Sequence, residues 1–297
     1  MYNPQLETFI RVADAGSFNK AADQLYITPT AVIKQINLLE VSLDVKLFER
    51  THRGLTLTKA GASLYNDAKY IIQYCKDSVI RAKNAMQEGD NVIRIGTSPM
   101  TPAGVLVELW PKIHEFCPKI KFQLVPYENT PENAREILKN LGQNIDVVAG
   151  IFDDTMLNLR NCAGFEISRQ PICCAVSVHH RLADKKLLTV SDLYGERLML
   201  MHRNWSHYVD VLRDDIWQNH SRIQIVDFDF YSVDVFNRCE NSNDVLMAVQ
   251  AWENVHPLLK IIPVEWNHSI PYGLLHSQTP SETVERFLAA IQTVLRR

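Results

Sequence analysis

Hydrophobic positions repeat at three different spacings along the chain, and each spacing predicts a different kind of element. Near the start, Leu6, Phe9, Ile10 and Ala13 recur at helical spacing. Asn3 is placed to cap that helix, with Pro4 at its first position, where a missing N–H costs nothing. Gly16 ends it and Ser17 caps the next helix, whose apolar face is Ala21, Ala22 and Leu25. Thr28-Pro29 repeats the cap-then-proline order and opens a third helix with Val32, Ile36, Leu39 and Leu43 as its buried stripe. Residues 47–58 read as a turn and small hairpin with Arg50, His52 and Arg53 near the tip.

Over 62–88 the spacing changes. Leu64, Ala68, Ile71, Cys75, Val79, Ala82 and Met86 step alternately by four and three, a heptad-like seam. It predicts one long helix over 61–90 that dimerises, with packing on its own domain as the alternative. From Val92 onward, strands alternate with helices. Val92–Gly96, Ile120–Val125 and Asp146–Phe152 read as strands, with helices around 105–116 and 131–141. Pro111 is expected to kink the first of these helices or delay its start. Thr279-Pro280-Ser281-Glu282 predicts the cap of a final helix lined by Val284, Phe287, Leu288, Ile291 and Leu295.

A chain of 297 residues is long for one domain and predicts two or three. With 46% hydrophobic and 22% charged residues, disorder and fibrous folds are excluded. The formal charge of −3 excludes a uniformly basic coat but not a local basic surface. There is no apolar run of the roughly 18 residues a membrane helix needs, and the start lacks signal-peptide texture, so a cytoplasmic protein is expected. The six cysteines form no C-x-x-C pair, which predicts reduced, buried thiols and no thiol switch. Hydrolase, zincin, P-loop and dinucleotide motifs are absent, and the ten histidines are scattered, so no enzyme, cofactor or metal is expected. The His179-His180 pair reads as an exposed loop.

Helices two and three, joined by Tyr26-Ile27-Thr28, make a helix, tight turn and helix. A helix of this kind reads DNA with its N-terminal end in the major groove. With Val32, Ile36 and Leu39 inward, Thr30, Ile33, Lys34 and Asn37 face out. Lys34 and the helix-start amides suit phosphate, the Thr28 and Thr30 hydroxyls suit bases or phosphate, and Ile33 suits a thymine methyl. Charge alone does not establish this reading, because residues 1–60 hold seven Lys and Arg against six Asp and Glu.

Residues 6–61 resemble the LysR-type transcriptional regulators. The matching residues include Leu6, Phe9, Ala15-Gly16-Ser17-Phe18, Ala21-Ala22, Leu25, Ala31-Val32, Lys34-Gln35-Ile36, Leu39-Glu40, Leu47-Phe48, Arg50, Arg53-Gly54, Leu57-Thr58 and Ala60-Gly61. The resemblance implies a winged helix-turn-helix whose DNA contacts are Ser17, Thr28, Pro29, Thr30, Ile33, Lys34, Asn37, Arg50 and Arg53. It also implies an α/β effector domain after an all-α N-terminal domain and linker helix, two-lobed and like a type II periplasmic binding protein. The expected bounds are 1–60, 61–90 and 91–297, with lobe one at 92–162 and 268–297 and lobe two at 163–267. Two departures stand out. Pro29 and Ile33 replace the family's usual Gln and Ser, and Trp252-Glu253-Asn254 stands where a Gly-x-Gly turn is common, so Trp252 fills space left open in relatives.

Sheets of this kind bind ligands beyond the carboxyl ends of their strands. Thr97, Ser98 and Thr101 follow the first strand, Asn129 and Thr130 the second, Asp153 the third and His202 the run 198–201. These are the expected effector contacts, with Ser98 at a helix start suited to an anionic group. The implied partners are operator DNA, a second copy in a homodimer or homotetramer, a small-molecule effector and RNA polymerase. Two alternatives stay open: a solute-binding or enzymatic α/β protein with an incidental helical start, and a regulator with an occluded, effector-independent cleft.

Overall fold

The computed structural model describes residues 2–51, 54–85 and 91–296, which fall into two compact units, Met1–Glu88 and Gly89–Arg297. The first contains α1 (Gln5–Ala15), α2 (Phe18–Leu25), α3 (Pro29–Leu43), the antiparallel hairpin β1 (Phe48–Thr51) and β2 (Gly54–Leu57), and α4 (Lys59–Ala85). Local chemistry sets most of these bounds. The Asn3 side chain accepts the Gln5 N–H at 3.0 Å, one of the amides a helix start leaves open. Gly16 stops α1 at φ 61, a left-handed conformation that costs glycine little. Thr28 accepts the Ala31 N–H at 3.2 Å, and Pro29 is the first residue of α3. Ser17 stands at the α2 cap position, but its side chain makes no capping bond. Phe9, Val12, Ala21, Ala22, Val32, Ile36, Leu39 and Leu47 close the core, with Phe9 edge-on to Phe48 at 5.5 Å.

The seam on α4 divides between the core of its own domain and the surface. Leu64, Tyr65, Ala68 and Ile72 pack on the core of the first unit, while Ile71 is exposed. A straight helix repeats every 3.6 residues rather than 3.5, so the inward face moves from the seam position to Ile72. Tyr70, Ile71, Tyr74, Val79 and Ile80 are exposed apolar side chains, spread around the helix rather than along one face. Met86, the last position of the expected seam, lies outside the described residues.

In the second unit β3 (Val92–Thr97) lies between β4 (Lys121–Pro126) and β5 (Val147–Ile151), parallel to both. Likewise β7 (Arg197–Met201) lies between β8 (Gln224–Phe228) and β9 (Val245–Val249). Each trio anchors one lobe, with α5 (Gly104–Phe116), α6 (Pro131–Lys139) and α7 (Asp154–Arg160) in the first, and α8 (His207–Asn219) and α9 (Val233–Glu240) in the second. The long β6 (Cys162–Ser177) joins them: 162–171 pair with β11 (Ser269–Ser277), and 172–177 pair with β9 and β10 (Leu259–Pro263). Strand order switches at β3 and at β7, which creates a crevice beyond their carboxyl ends. Arg94 fixes β3 to the start of β5 by forking onto the buried Asp146 at 2.9 and 2.7 Å. At the β11–β6 bulge, a Cβ on Gly273 would lie 2.0 Å from the Phe165 carbonyl oxygen, so only glycine fits there.

Pro111 sits inside α5, which starts at Gly104, so the proline does not delay the start. Two local expectations are corrected. The final helix, α10 (Glu282–Leu295), is capped by Ser281, whose hydroxyl accepts the Val284 N–H, and not by Thr279. His180 is buried, its Nδ1 accepting the Leu182 N–H at 3.2 Å; only His179 is exposed. Cys162, Cys173, Cys174 and Cys239 are buried, and burial pushes the Cys173 thiol up to about 11, which keeps it protonated and unreactive. Among the described residues no helix is long and apolar enough to cross a membrane.

Candidate functional site

The outer face of α3 follows from the inward one. With Val32, Ile36 and Leu39 in the core, Thr30, Lys34 and Asn37 are exposed and Ile33 is half-buried. These residues line a shallow recess with Leu38 and Val41. Among the described residues Lys34 has no ion pair or hydrogen bond, so its charge is available to an outside anion. Thr28 and Pro29 are exposed at the helix start, although the Thr28 oxygen already caps it. Ser17 is half-buried at the start of α2. The backbone of Arg50 lies in β1, while His52 and Arg53 lie outside the described residues.

In the sequence Glu40 is one of the residues that match the family pattern; the structure gives it a task. Its buried carboxylate accepts the Leu47 N–H at 2.8 Å and the Phe48 N–H at 3.3 Å, and meets Lys46 Nζ at 2.6 Å. One side chain near the end of α3 therefore fixes where the hairpin begins. Burial raises its pKa, but the bonds from Lys46, Leu47 and Phe48 and the Lys46 charge outweigh that, holding the carboxyl below its ordinary value.

In the second unit the crevice is crossed by hydrogen bonds between lobes. Trp252, just after β9, donates its indole N–H to the Met100 carbonyl at 3.0 Å. Asn129 donates to the Tyr231 carbonyl at 2.8 Å. Asp153 caps α7 through the Met156 N–H and also accepts the Ser206 hydroxyl at 2.6 Å and the His207 N–H at 2.7 Å. The aromatic side chains stack into the same space, with Tyr231 and Trp252 ring centres 4.6 Å apart and Trp205 5.6 Å from Tyr231.

Two recesses lie at the crevice. An open one of about 660 Å³ runs from Pro99, Pro102 and Gly104 to Gln250, Glu253 and Asn254. A smaller one of about 80 Å³ is walled by Met100, Thr101, Tyr127, Asn129, Leu138, Met156, Arg160, Trp205 and Trp252. A hydroxyl chain enters it: Ser98 bonds Thr101 at 2.7 Å, and Thr101 bonds the Tyr127 hydroxyl at 2.7 Å. Burial raises the Tyr127 pKa despite those bonds, so the phenol stays protonated.

Of the seven residues expected there, Thr101 and Asn129 line the small recess and the buried Ser98 reaches it through Thr101. The other four lie off its wall. Thr97 is the half-buried last residue of β3, Thr130 caps α6 through the Asn133 N–H, and Asp153 is taken up by its three donors. His202 is exposed, its ring bonded to the Arg203 carbonyl. The helix start expected at Ser98 is also displaced: residues 98–101 form a tight turn, and α5 begins at Gly104. Tyr127, Arg160, Trp205 and Tyr231 were not foreseen. Arg160 looks in sequence like an ordinary helix-ending cation.

Residues 4–62 match the model of the bacterial regulatory helix-turn-helix proteins of the lysR family, and residues 87–296 match the LysR substrate binding domain. The nitrogen assimilation regulatory protein nac of Klebsiella aerogenes is 28% identical over 172 residues, 54% of this chain and 56% of that protein. The regulator ClcR of Pseudomonas putida is 38% identical over 91 residues, 31% of each chain. The chain spans about half the length of the curated relatives it matches. The crystal structure of the LysR-family regulator CbnR is similar in fold, with a TM-score of 0.59 at 19% identity over 100% of both chains. Full-length CbnR with its target DNA gives 0.54 at 19% identity, over 99% of this chain and 100% of that one.

Proposed function

The chain belongs to the LysR family of bacterial helix-turn-helix regulators, and from that membership we propose that it binds an operator under the control of a small molecule held between its lobes. The observation that carries this reading is the outward face of α3, where Thr30, Ile33, Lys34 and Asn37 stand free of the core at the end that enters the major groove. CbnR, similar in fold, has been crystallised with its target DNA. Ser17, Thr28 and Pro29 adjoin this face, and Arg50 and Arg53 on the wing follow the backbone. The exposed apolar side chains of α4, Ile71 and Val79 of the seam among them, are the surface for a second copy, giving a homodimer or homotetramer that sets two recognition helices on successive grooves. Contact of the bound protein with RNA polymerase completes the reading.

In the effector domain, Thr101, Asn129 and, through Thr101, Ser98 are the contacts we assign. A second reading, a regulator with a closed, effector-independent cleft, is favoured by the Trp252–Met100 bond and the smallness of the inner recess. Titrating candidate effectors against operator affinity separates the two readings.

Lys34 tests the DNA surface. Each phosphate contact contributes about 0.9 to the slope of log affinity against log salt. Lys34→Ala is expected to weaken binding to all duplexes about equally and to lower that slope by about one contact's share. Fluorescence anisotropy at several salt concentrations measures it. An unchanged slope would place Lys34 away from the DNA.

A further inference from the structure

The inner recess has one chemically unusual wall. Arg160 ends α7 with its side chain along the cavity, and among the described residues its guanidinium has no hydrogen bond and no ion pair. Its side chain is half-buried, and the loss of water around the charged end lowers its pKa. A partly desolvated, unpaired charge is unfavourable, and the carboxyl end of α7 offsets only part of that. Asp153, the acid whose charge acts on Arg160, has its oxygens engaged by Met156, Ser206 and His207. The protein supplies a cation and donors here, and leaves the anion out.

We propose that this recess is an anion subsite that takes a small carboxylate, with Arg160 as its anchor and the Tyr127 and Thr101 hydroxyls beside it. A planar guanidinium suits the two oxygens of a carboxylate. The remaining wall is apolar, built from Leu138, Val148, Met156 and Leu275, which suits a short hydrocarbon tail rather than a fully hydrated inorganic ion. The volume of about 80 Å³ limits the occupant. It is space for two or three waters at about 30 Å³ each, or a carboxylate of roughly two to four carbons. This assignment rests on the effector-controlled reading and names the ligand class for it.

The test uses the full chain and calorimetry at constant ionic strength, with acetate, propionate and butyrate as probes. Butyramide serves as the neutral isostere, and inorganic phosphate and chloride as simple anions. The wild type is expected to bind a short carboxylate and to bind butyramide and the inorganic ions at least about 10-fold more weakly. Arg160→Met is expected to lose about 10- to 150-fold in carboxylate affinity, the size of one hydrogen bond to a charged group. Equal binding of butyramide and butyrate by the wild type would overturn the proposal whether or not the variant folds. So would equal binding of phosphate, unchanged affinity in a folded Arg160→Met, or no carboxylate binding at all. Measuring duplex affinity with and without butyrate keeps the two readings apart. Carboxylate binding that leaves DNA affinity unchanged supports the subsite and removes the regulatory coupling. Specific DNA binding with no carboxylate binding removes the subsite alone.

Discussion

Trp252→Ala is expected to lower the stability of the second unit by about 3–5 kcal/mol, the range for truncating a large buried aromatic. Trp252 is 4% exposed, its ring packs on Tyr231 and Phe236, and its indole N–H bonds the Met100 carbonyl at 3.0 Å from the other lobe. The substitution removes ring contacts and the cross-lobe bond together, and it takes away one wall of the inner recess. Trp252→Phe separates the parts, because it keeps most of the volume and gives up only the N–H bond, about 1 kcal/mol. Urea unfolding followed by circular dichroism measures both. A loss below about 1 kcal/mol for the alanine variant would mean that Trp252 does not hold the lobes.

Glu40→Ala is expected to destabilise the first unit by about 2–3 kcal/mol, because the Leu47 and Phe48 amides lose their acceptor at the start of the wing. The pH dependence follows from the direction of its pKa. The folded carboxyl lies below the ordinary 4.5: burial raises it, but the bonds from Lys46, Leu47 and Phe48 and the Lys46 charge bring it lower. Its contribution is therefore fully present above about 4.5 and lost as pH falls through the lowered folded value. The difference between wild type and Glu40→Ala should be flat from neutral pH to about 5 and shrink below that. A difference that grows on acidification would assign the wrong ionisation state to Glu40.

The helix-turn-helix was legible because its boundaries are written in adjacent residues. Thr28-Pro29 and Gly16 act within one turn of where they stand, and one face of each helix is apolar. On α4, Leu64 and Ala68 of the seam serve the domain's own core, which one face of the helix reaches as far as Ile72, and Ile71 and Val79 stay exposed. Ser98 was placed by its position after β3, but the length of the following turn moved the helix start to Gly104. The inner recess was the least legible part. Its walls come from residues as far apart as Met100, Arg160 and Trp252, and they meet only when two lobes close. Thr101 and Asn129 were legible from their places after β3 and β4, and Trp252 as a bulky residue where related chains carry a glycine turn. Arg160 gave no signal, because its meaning lies in the absence of a partner.

The central claim is that this chain reads a DNA sequence. Selection of bound duplexes from a random-sequence pool by the full-length protein tests it most directly. The account predicts enrichment of a partly palindromic motif whose half-sites are one helical turn apart, about 10–10.5 base pairs, or a multiple of that. The selected duplex should bind at least about 10³-fold more tightly than the starting pool at the same salt concentration. Repeated rounds that enrich no motif, with equal affinity for selected and starting duplexes, would contradict it.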